Sequence, residues 1–122
     1  MTWDELEKRI KAEIRPKESA ILKADGDERR PVVSNDGQEI GMRTGRKTDS
    51  VHTISYAMIQ YAFETLVKAG RFDSKDFRDC FPSEYDNATC RYTMTGGVLV
   101  ELGIADRVIT AKKRCHYMRR HD

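Results

Sequence analysis

The chain has 122 residues, of which 34% are charged and 39% hydrophobic, and its mean hydropathy is -0.70. A chain of this length can bury one ordinary core or two small cores that share a boundary. No apolar run approaches the roughly 20 residues needed to cross a bilayer, and the acidic, amphipathic N-terminus is untypical of a signal peptide. We therefore expect a cytoplasmic protein that makes no membrane contact.

The three cysteines, Cys80, Cys90 and Cys115, form no CxxC pair. An odd count without such a pair argues against a disulfide framework and a standard zinc knuckle, so we expect reduced, mostly buried thiols. A metal site that combines them with His116 is the alternative, although adjacent residues rarely point at one ion.

The net charge of +2 is unevenly distributed. Residues 1–50 contain 11 basic and 11 acidic residues, whereas residues 107–120 contain six basic residues and no acidic residue. Such a cationic region favours a polyanionic partner, with a solvated C-terminal tail as the alternative.

An amphipathic helix is predicted at the N-terminus. Thr2 and Glu5 have the spacing of a capping box, and Pro16 prevents continuation of the helix. Between Thr2 and Pro16, the apolar residues recur at helical spacing: Trp3, Leu6, Ile10 and Ile14. We expect this stripe to pack on the protein's own core, and a homodimer contact through the same stripe is the alternative.

A β-hairpin is predicted next. Residues 31–34 and 38–43 form two strand-like runs, and Gly37 can supply the positive φ that the intervening turn requires. Residues 19–23 are compatible with either a further strand or a helical turn.

The polar stretch 44–50, which contains two adjacent cations, is typical of a linker. We therefore expect two parts: a segment 1–50 with the N-terminal helix and hairpin, and a domain 51–122 with a basic C-terminal tail.

Two helices are predicted after this linker. The first begins at the N-cap Ser55 and ends at Gly70. Its apolar stripe is Ile59, Ala62, Phe63, Leu66 and Val67. Ser74 is the predicted N-cap of a second, shorter helix, which Pro82 stops. The predicted inward-facing residues of this second helix are Phe77, Cys80 and Phe81.

A third helix is predicted after a polar turn at residues 83–86. Asp86 or Asn87 can cap it, and its apolar stripe extends to about Leu102. The pair Gly96–Gly97 lowers helix propensity, so a break there is the main alternative.

The order of these elements from Ile54 to Met118, roughly half of the chain, resembles the winged helix-turn-helix superfamily. The third helix ends in Val-Glu-Leu-Gly-Ile, and a hairpin follows with strands at 108–110 and 115–118. The resemblance implies an α+β fold with three helices and a C-terminal β-hairpin wing. In such domains the third helix commonly enters the major groove of double-stranded DNA, and the wing contacts phosphates or the minor groove.

Carried over to this sequence, the resemblance implies two sets of DNA contacts. The residues that would face the bases are Asn87, Thr89, Arg91 and Thr93. The residues of the wing and tail that would contact phosphates are Lys112, Lys113, Arg114, Arg119 and Arg120. A guanidinium fits the O6 and N7 atoms of guanine, whereas lysine is a point charge suited to phosphates. For Arg91, a surface ion pair with Glu84 or Asp86 is the alternative.

Five acidic residues lie just before the predicted reading helix: Asp73, Asp76, Asp79, Glu84 and Asp86. A DNA-facing surface usually carries fewer anions. The alternative function is therefore a protein-interaction module, such as an inhibitor, an adaptor or a subunit of a nucleic-acid-processing complex.

No arrangement typical of an enzyme is recognisable in the sequence. The histidines are scattered, and neither a glycine-rich phosphate loop nor an HExxH motif occurs. We therefore predict a small, non-enzymatic DNA-binding protein without a cofactor, either a transcriptional regulator or an accessory factor of a phage or mobile element.

Overall fold

The computed structural model describes residues 1–45 and 50–120. They form an α+β fold with two antiparallel sheets. The helices are α1 (Trp3–Glu13), α2 (Tyr56–Ala69), α3 (Ser74–Cys80), α4 (Pro82–Asn87) and α5 (Cys90–Glu101). The strands are β1 (Ala20–Leu22), β2 (Arg29–Asn35), β3 (Glu39–Arg43), β4 (Val51–Ser55), β5 (Arg71–Phe72), β6 (Ala105–Ile109) and β7 (Cys115–Arg119). None of the described helices is both long and apolar enough to cross a membrane.

The first sheet is a meander in the order β1-β2-β3-β4. The predicted N-terminal hairpin is confirmed, because β2 and β3 pair around a turn in which Gly37 has a φ of 87°. The undecided stretch 19–23 contains a strand, β1, which pairs with β2.

Strand β4 has no counterpart in the sequence prediction. It pairs with β3 along its length, and the opposed side chains of Ile40 and Ile54 are both buried. The stretch 44–50, predicted as a linker, thus connects two strands of one sheet, and its residues 46–49 lie outside the described residues.

The predicted N-terminal helix is confirmed, with Thr2 as its N-cap. The stripe at Leu6, Ile10 and Ile14 is buried in the core of the same chain. The side-chain amide of Asn35 in β2 donates to the carbonyls of Ile10 and Ile14, at 3.2 and 2.8 Å. The fourth residue of the stripe, Trp3, is partly buried against the same core, so the stripe packs on the protein's own core as predicted.

Helix α2 follows the prediction, beginning after Ser55, whose hydroxyl accepts from the Met58 amide, and ending at Gly70, whose φ is 76°. The prediction for one residue of its stripe is wrong: Val67 is 46% exposed. Val67 follows the buried Leu66 and lies at the solvent side of the stripe.

The connection between α3 and α5 differs from the prediction. Asp73, rather than Ser74, caps α3 through a capping box with Asp76. The backbone amide of each residue donates to the side-chain carboxylate of the other, both at 3.0 Å. Where the sequence predicts a polar turn, Pro82 begins helix α4, because proline is favoured in the first turn of a helix.

Two further details correct the prediction. Helix α5 begins at Cys90, after the predicted caps Asp86 and Asn87, because both of these residues belong to α4. The thiol of Cys80 is exposed, since the ring of Phe77 occupies the buried side of α3.

Helix α5 lies at the centre of the fold and continues without a break through its two glycines. A Cβ atom at Gly96 would fall on the ring of Tyr117 in β7, and one at Gly97 would collide with Ile21 in β1. The glycines therefore permit two close approaches that no other residue allows. This close packing stabilises the helix despite its low propensity.

The second sheet has the strand order β5-β7-β6, so the predicted C-terminal hairpin is confirmed. One hydrophobic core includes residues from both predicted parts of the chain. Ile21 of β1 and Tyr117 of β7 contact α5 on different sides, which joins the two sheets through this helix.

Candidate nucleic-acid interface

The loop between β6 and β7 presents three adjacent cations. Backbone hydrogen bonds close this turn: Thr110 donates to the Arg114 carbonyl and Lys113 to the Thr110 carbonyl, both at 2.9 Å. Lys113 has a φ of 58°, in the left-handed region. The side chains of Lys112, Lys113 and Arg114 are exposed, and within the described residues none of them forms an ion pair. We call residues 110–114 the basic loop.

The two arginines at and just after the end of β7 are bound to other parts of the fold. Arg120 binds the carboxylate of Asp106 in β6 with Nε at 2.9 Å and Nη2 at 2.6 Å. Arg119 donates to the carbonyl of Val67 at 3.4 Å. The Arg120 charge is thus already paired in an exposed ion pair, which contributes little to stability and weakens its attraction for another anion.

Arg91 connects three elements of the fold. Its Nε donates to the backbone carbonyl of Thr53 in β4 at 2.9 Å, and its Nη1 donates to the carbonyl of Glu84 in α4 at 3.1 Å. Both acceptors are main-chain oxygens, so the alternative surface ion pair is not the contact that Arg91 makes. The strand that carries this carbonyl, β4, is at the edge of the first sheet, where within the described residues no further strand pairs with it.

The four predicted base-contacting residues lie in different environments. Asn87 and Thr89 are exposed at the junction of α4 and α5. Thr93 is only 7% exposed, and its hydroxyl donates to the Cys90 carbonyl at 3.0 Å and accepts from Arg30 at 3.1 Å. A base cannot reach this hydroxyl without displacing the core.

Arg30 of β2, whose guanidinium side chain is 7% exposed, is not among the predicted site residues. Its Nη1 binds Thr93, while its Nε is buried without a hydrogen-bond partner. Burial lowers the pKa of Arg30. The sequence position of Arg30 indicates its burial. Arg30 precedes Val32 by two positions in a strand, so both side chains point to the same, buried face.

A polar cleft of about 400 Å³ lies beside Arg91, between the edge of the first sheet and α4. Its lining residues are Glu39, Thr53, Ser55, Met58, Ser83, Glu84, Asn87 and Arg91. We call it the β4–α4 cleft. It brings together two predicted base-contacting residues, Asn87 and Arg91, but sets them beside two carboxylates.

The predicted acidic cluster stays at the surface of α3 and α4. Asp79 and Asp86 are exposed, whereas Asp73 and Asp76 are partly buried in the capping box of α3. Burial is the main cause of a raised pKa at Asp76, and the nearby Asp73 charge adds to it.

The cysteines offer no metal centre within residues 1–45 and 50–120, where no group of three candidate ligands converges. All three thiols are free, and the prediction that they are mostly buried is only partly met, since Cys90 and Cys115 are half-buried and Cys80 is exposed. None of the protein-family models, curated proteins or solved structures compared with the chain matches it.

Proposed function

We propose that the protein binds double-stranded DNA and that its basic loop is the wing of a winged helix-turn-helix. The order α2, β5, α3, α4, α5, β6, β7 and the strand order β5-β7-β6 support this assignment. Helix α4 is an addition to the three-helix pattern, placed where a short turn would stand.

The main support for the proposal is the unpaired positive charge of Lys112, Lys113 and Arg114. These three adjacent cations lie on a closed turn and form no ion pair within the described residues. Such cations are suited to phosphate oxygens and do not distinguish one base from another. Each phosphate they neutralise releases condensed counterions, which makes such binding favourable and salt-dependent.

The packing of α5 limits how bases are read. Its residues from Tyr92 to Leu99 are buried against both sheets, so the helix cannot lie in a major groove along its length. Of the predicted base contacts, Asn87 and Thr89 have accessible side chains. We therefore propose phosphate-dominated binding with weak sequence preference, in which this junction makes the base contacts.

The test is fluorescence anisotropy of a short labelled duplex with three proteins. The first is wild type, and the second carries Lys112→Ala, Lys113→Ala and Arg114→Ala. The matched control removes the same charge elsewhere, through Lys8→Ala, Lys17→Ala and Lys68→Ala, all at exposed positions. We expect the loop variant to lose at least about tenfold in affinity near 100 mM salt, and the control to lose much less. Equal affinities of the two variants would contradict the proposal.

A protein-interaction module is the second candidate function. The specific observation in its favour is the burial of α5 next to the exposed carboxylates of Asp79 and Asp86. Capture of one stoichiometric protein that survives nuclease treatment, and that the loop variant still binds, would support this function over DNA binding.

A further inference from the structure

We propose that the β4–α4 cleft binds a single unpaired nucleobase, specifically guanine or cytosine. The inference rests on the proposed DNA-binding function for the source of the base, but the recognition chemistry belongs to the cleft itself.

The size and construction of the cleft suit a small polar ligand. Its volume of about 400 Å³ falls within the range of about 300–1,000 Å³ typical of small-molecule sites. Its walls come from the edge of the first sheet, from the first turn of α2 and from α4. The hydrogen bonds of Arg91 join two of these walls, β4 and α4.

The polar groups of the cleft are largely unused. Within the described residues, the side chains of Glu39, Ser83, Glu84 and Asn87 form no hydrogen bond or ion pair. Arg91 uses Nε and Nη1 for the fold, which leaves its Nη2 available as a donor. A cleft that leaves some donors and some acceptors without internal partners is suited to a ligand that carries both.

The charges select the class of ligand. Glu39 and Glu84 place two carboxylates against the single guanidinium of Arg91, so a phosphate group would meet net repulsion. A neutral, planar base that presents donors next to acceptors avoids this repulsion. Bases removed from a stack are read in this way, through hydrogen bonds to the Watson–Crick edge.

The same groups select among the bases. Carboxylates only accept hydrogen bonds, so they require N–H donors such as the N4 amino group of cytosine or the N1 and N2 positions of guanine. The guanidinium only donates, and it matches the O6 and N7 acceptors of guanine or the O2 and N3 acceptors of cytosine. Thymine presents one ring N–H between two carbonyls and fits two carboxylates poorly, and adenine has no two adjacent acceptors to match the guanidinium.

The apolar part of the cleft is Met58, from the first turn of α2. Its thioether is polarisable and makes favourable contacts with aromatic rings, so it can support the face of a base. No aromatic side chain of the described residues lines the cleft, so we expect weak binding of an isolated nucleotide and stronger binding of one held in DNA.

The test titrates the intact ¹⁵N-labelled protein with the monophosphates of guanosine, cytidine, adenosine and uridine, and separately with inorganic phosphate. We expect the guanosine or cytidine nucleotide to shift the amides of Ser55, Ser83 and Asn87, at least tenfold more tightly than the other two. Glu84→Gln should reduce that affinity at least tenfold, whereas Glu64→Gln, an exposed carboxylate of α2 outside the cleft, should leave it unchanged.

Equal responses to all four nucleotides, shifts caused by phosphate alone, or no shifts in the cleft would overturn the assignment. A duplex with one bulged guanine or cytosine, compared with a fully paired duplex, identifies the source of the base. Preference for the bulge places the base in DNA, and a response to nucleotides without that preference supports the base site with free nucleotides as its ligands.

The experiments distinguish a failure of the base site from a failure of the proposed phosphate contact. If paired duplex binding depends on the basic loop but the cleft does not respond, only the base site is wrong. If the cleft responds while the basic loop has no effect on duplex affinity, only the phosphate contact is wrong.

Discussion

The basic loop and the start of α5 carry similar residues in opposite circumstances. In the loop, Lys112, Lys113 and Arg114 point into solvent on a turn that the backbone closes by itself. At the start of α5, Arg91 uses Nε and Nη1 for main-chain carbonyls, and the Thr93 hydroxyl bonds to the Cys90 carbonyl and to the buried Arg30. We infer that a cationic or polar residue is a candidate for a nucleic-acid contact to the extent that the fold leaves its donors unused.

The largest change in stability is expected for Gly97→Ala. In an exposed reading helix, this change would stabilise the protein by about 1 kcal/mol, because alanine has the higher helix propensity. In the buried α5, the new methyl collides with Ile21, so we expect a loss of about 1–3 kcal/mol in the free energy of unfolding. Urea denaturation measures the sign, and a stabilised variant would show that β1 does not cover the helix.

The next test compares Arg91→Ala with Arg114→Ala. Loss of the Arg91 guanidinium leaves the carbonyls of Thr53 and Glu84 without these donors, and we expect a loss of about 2 kcal/mol in unfolding free energy. Arg114→Ala should change stability by less than about 0.5 kcal/mol, since it removes an exposed side chain.

The DNA affinities of the same two variants should differ in the opposite sense to their stabilities. We expect Arg114→Ala to weaken duplex binding and Arg91→Ala, measured at a temperature where it is folded, to retain most of it. The reverse order would assign Arg91 to the DNA contact and contradict the contrast between the two regions.

The smallest expected effect is that of Asp106→Asn. This change removes the partner of Arg120 in an exposed ion pair, so stability should change by no more than about 1 kcal/mol. Duplex affinity should rise by about twofold or more as one further cation becomes available. Unchanged affinity would place Arg120 away from the DNA.

Local signals in the sequence were sufficient for part of the fold. Thr2 and Ser55 cap their helices as predicted, and Gly37 marks its hairpin, because capping and turn chemistry depend on neighbours in sequence. The strand β4 and the helix α4 could not be predicted in this way. The former depends on pairing with β3, and the latter on the ability of Pro82 to begin a helix as well as to end one.

The candidate site was less predictable than the fold. The exposure of the basic loop follows from its turn position and composition. The hydrogen bonding of Arg91, in contrast, depends on the carbonyl of Thr53, which is far from it in sequence. Gly96–Gly97 indicates a possible helix break when read locally, but in the structure it indicates close contact with two other elements. The β4–α4 cleft combines residues from distant parts of the chain and has no local signature.

We propose that the unpaired charge of the basic loop binds DNA phosphates. The measurement to make is the slope of log affinity against log salt for wild type and for the triple variant Lys112→Ala, Lys113→Ala and Arg114→Ala. If each residue neutralises one phosphate, the variant should have a slope shallower by about 2.7, at about 0.9 per contact. The same slope for both proteins, or a flat response of the wild type, would contradict the claim.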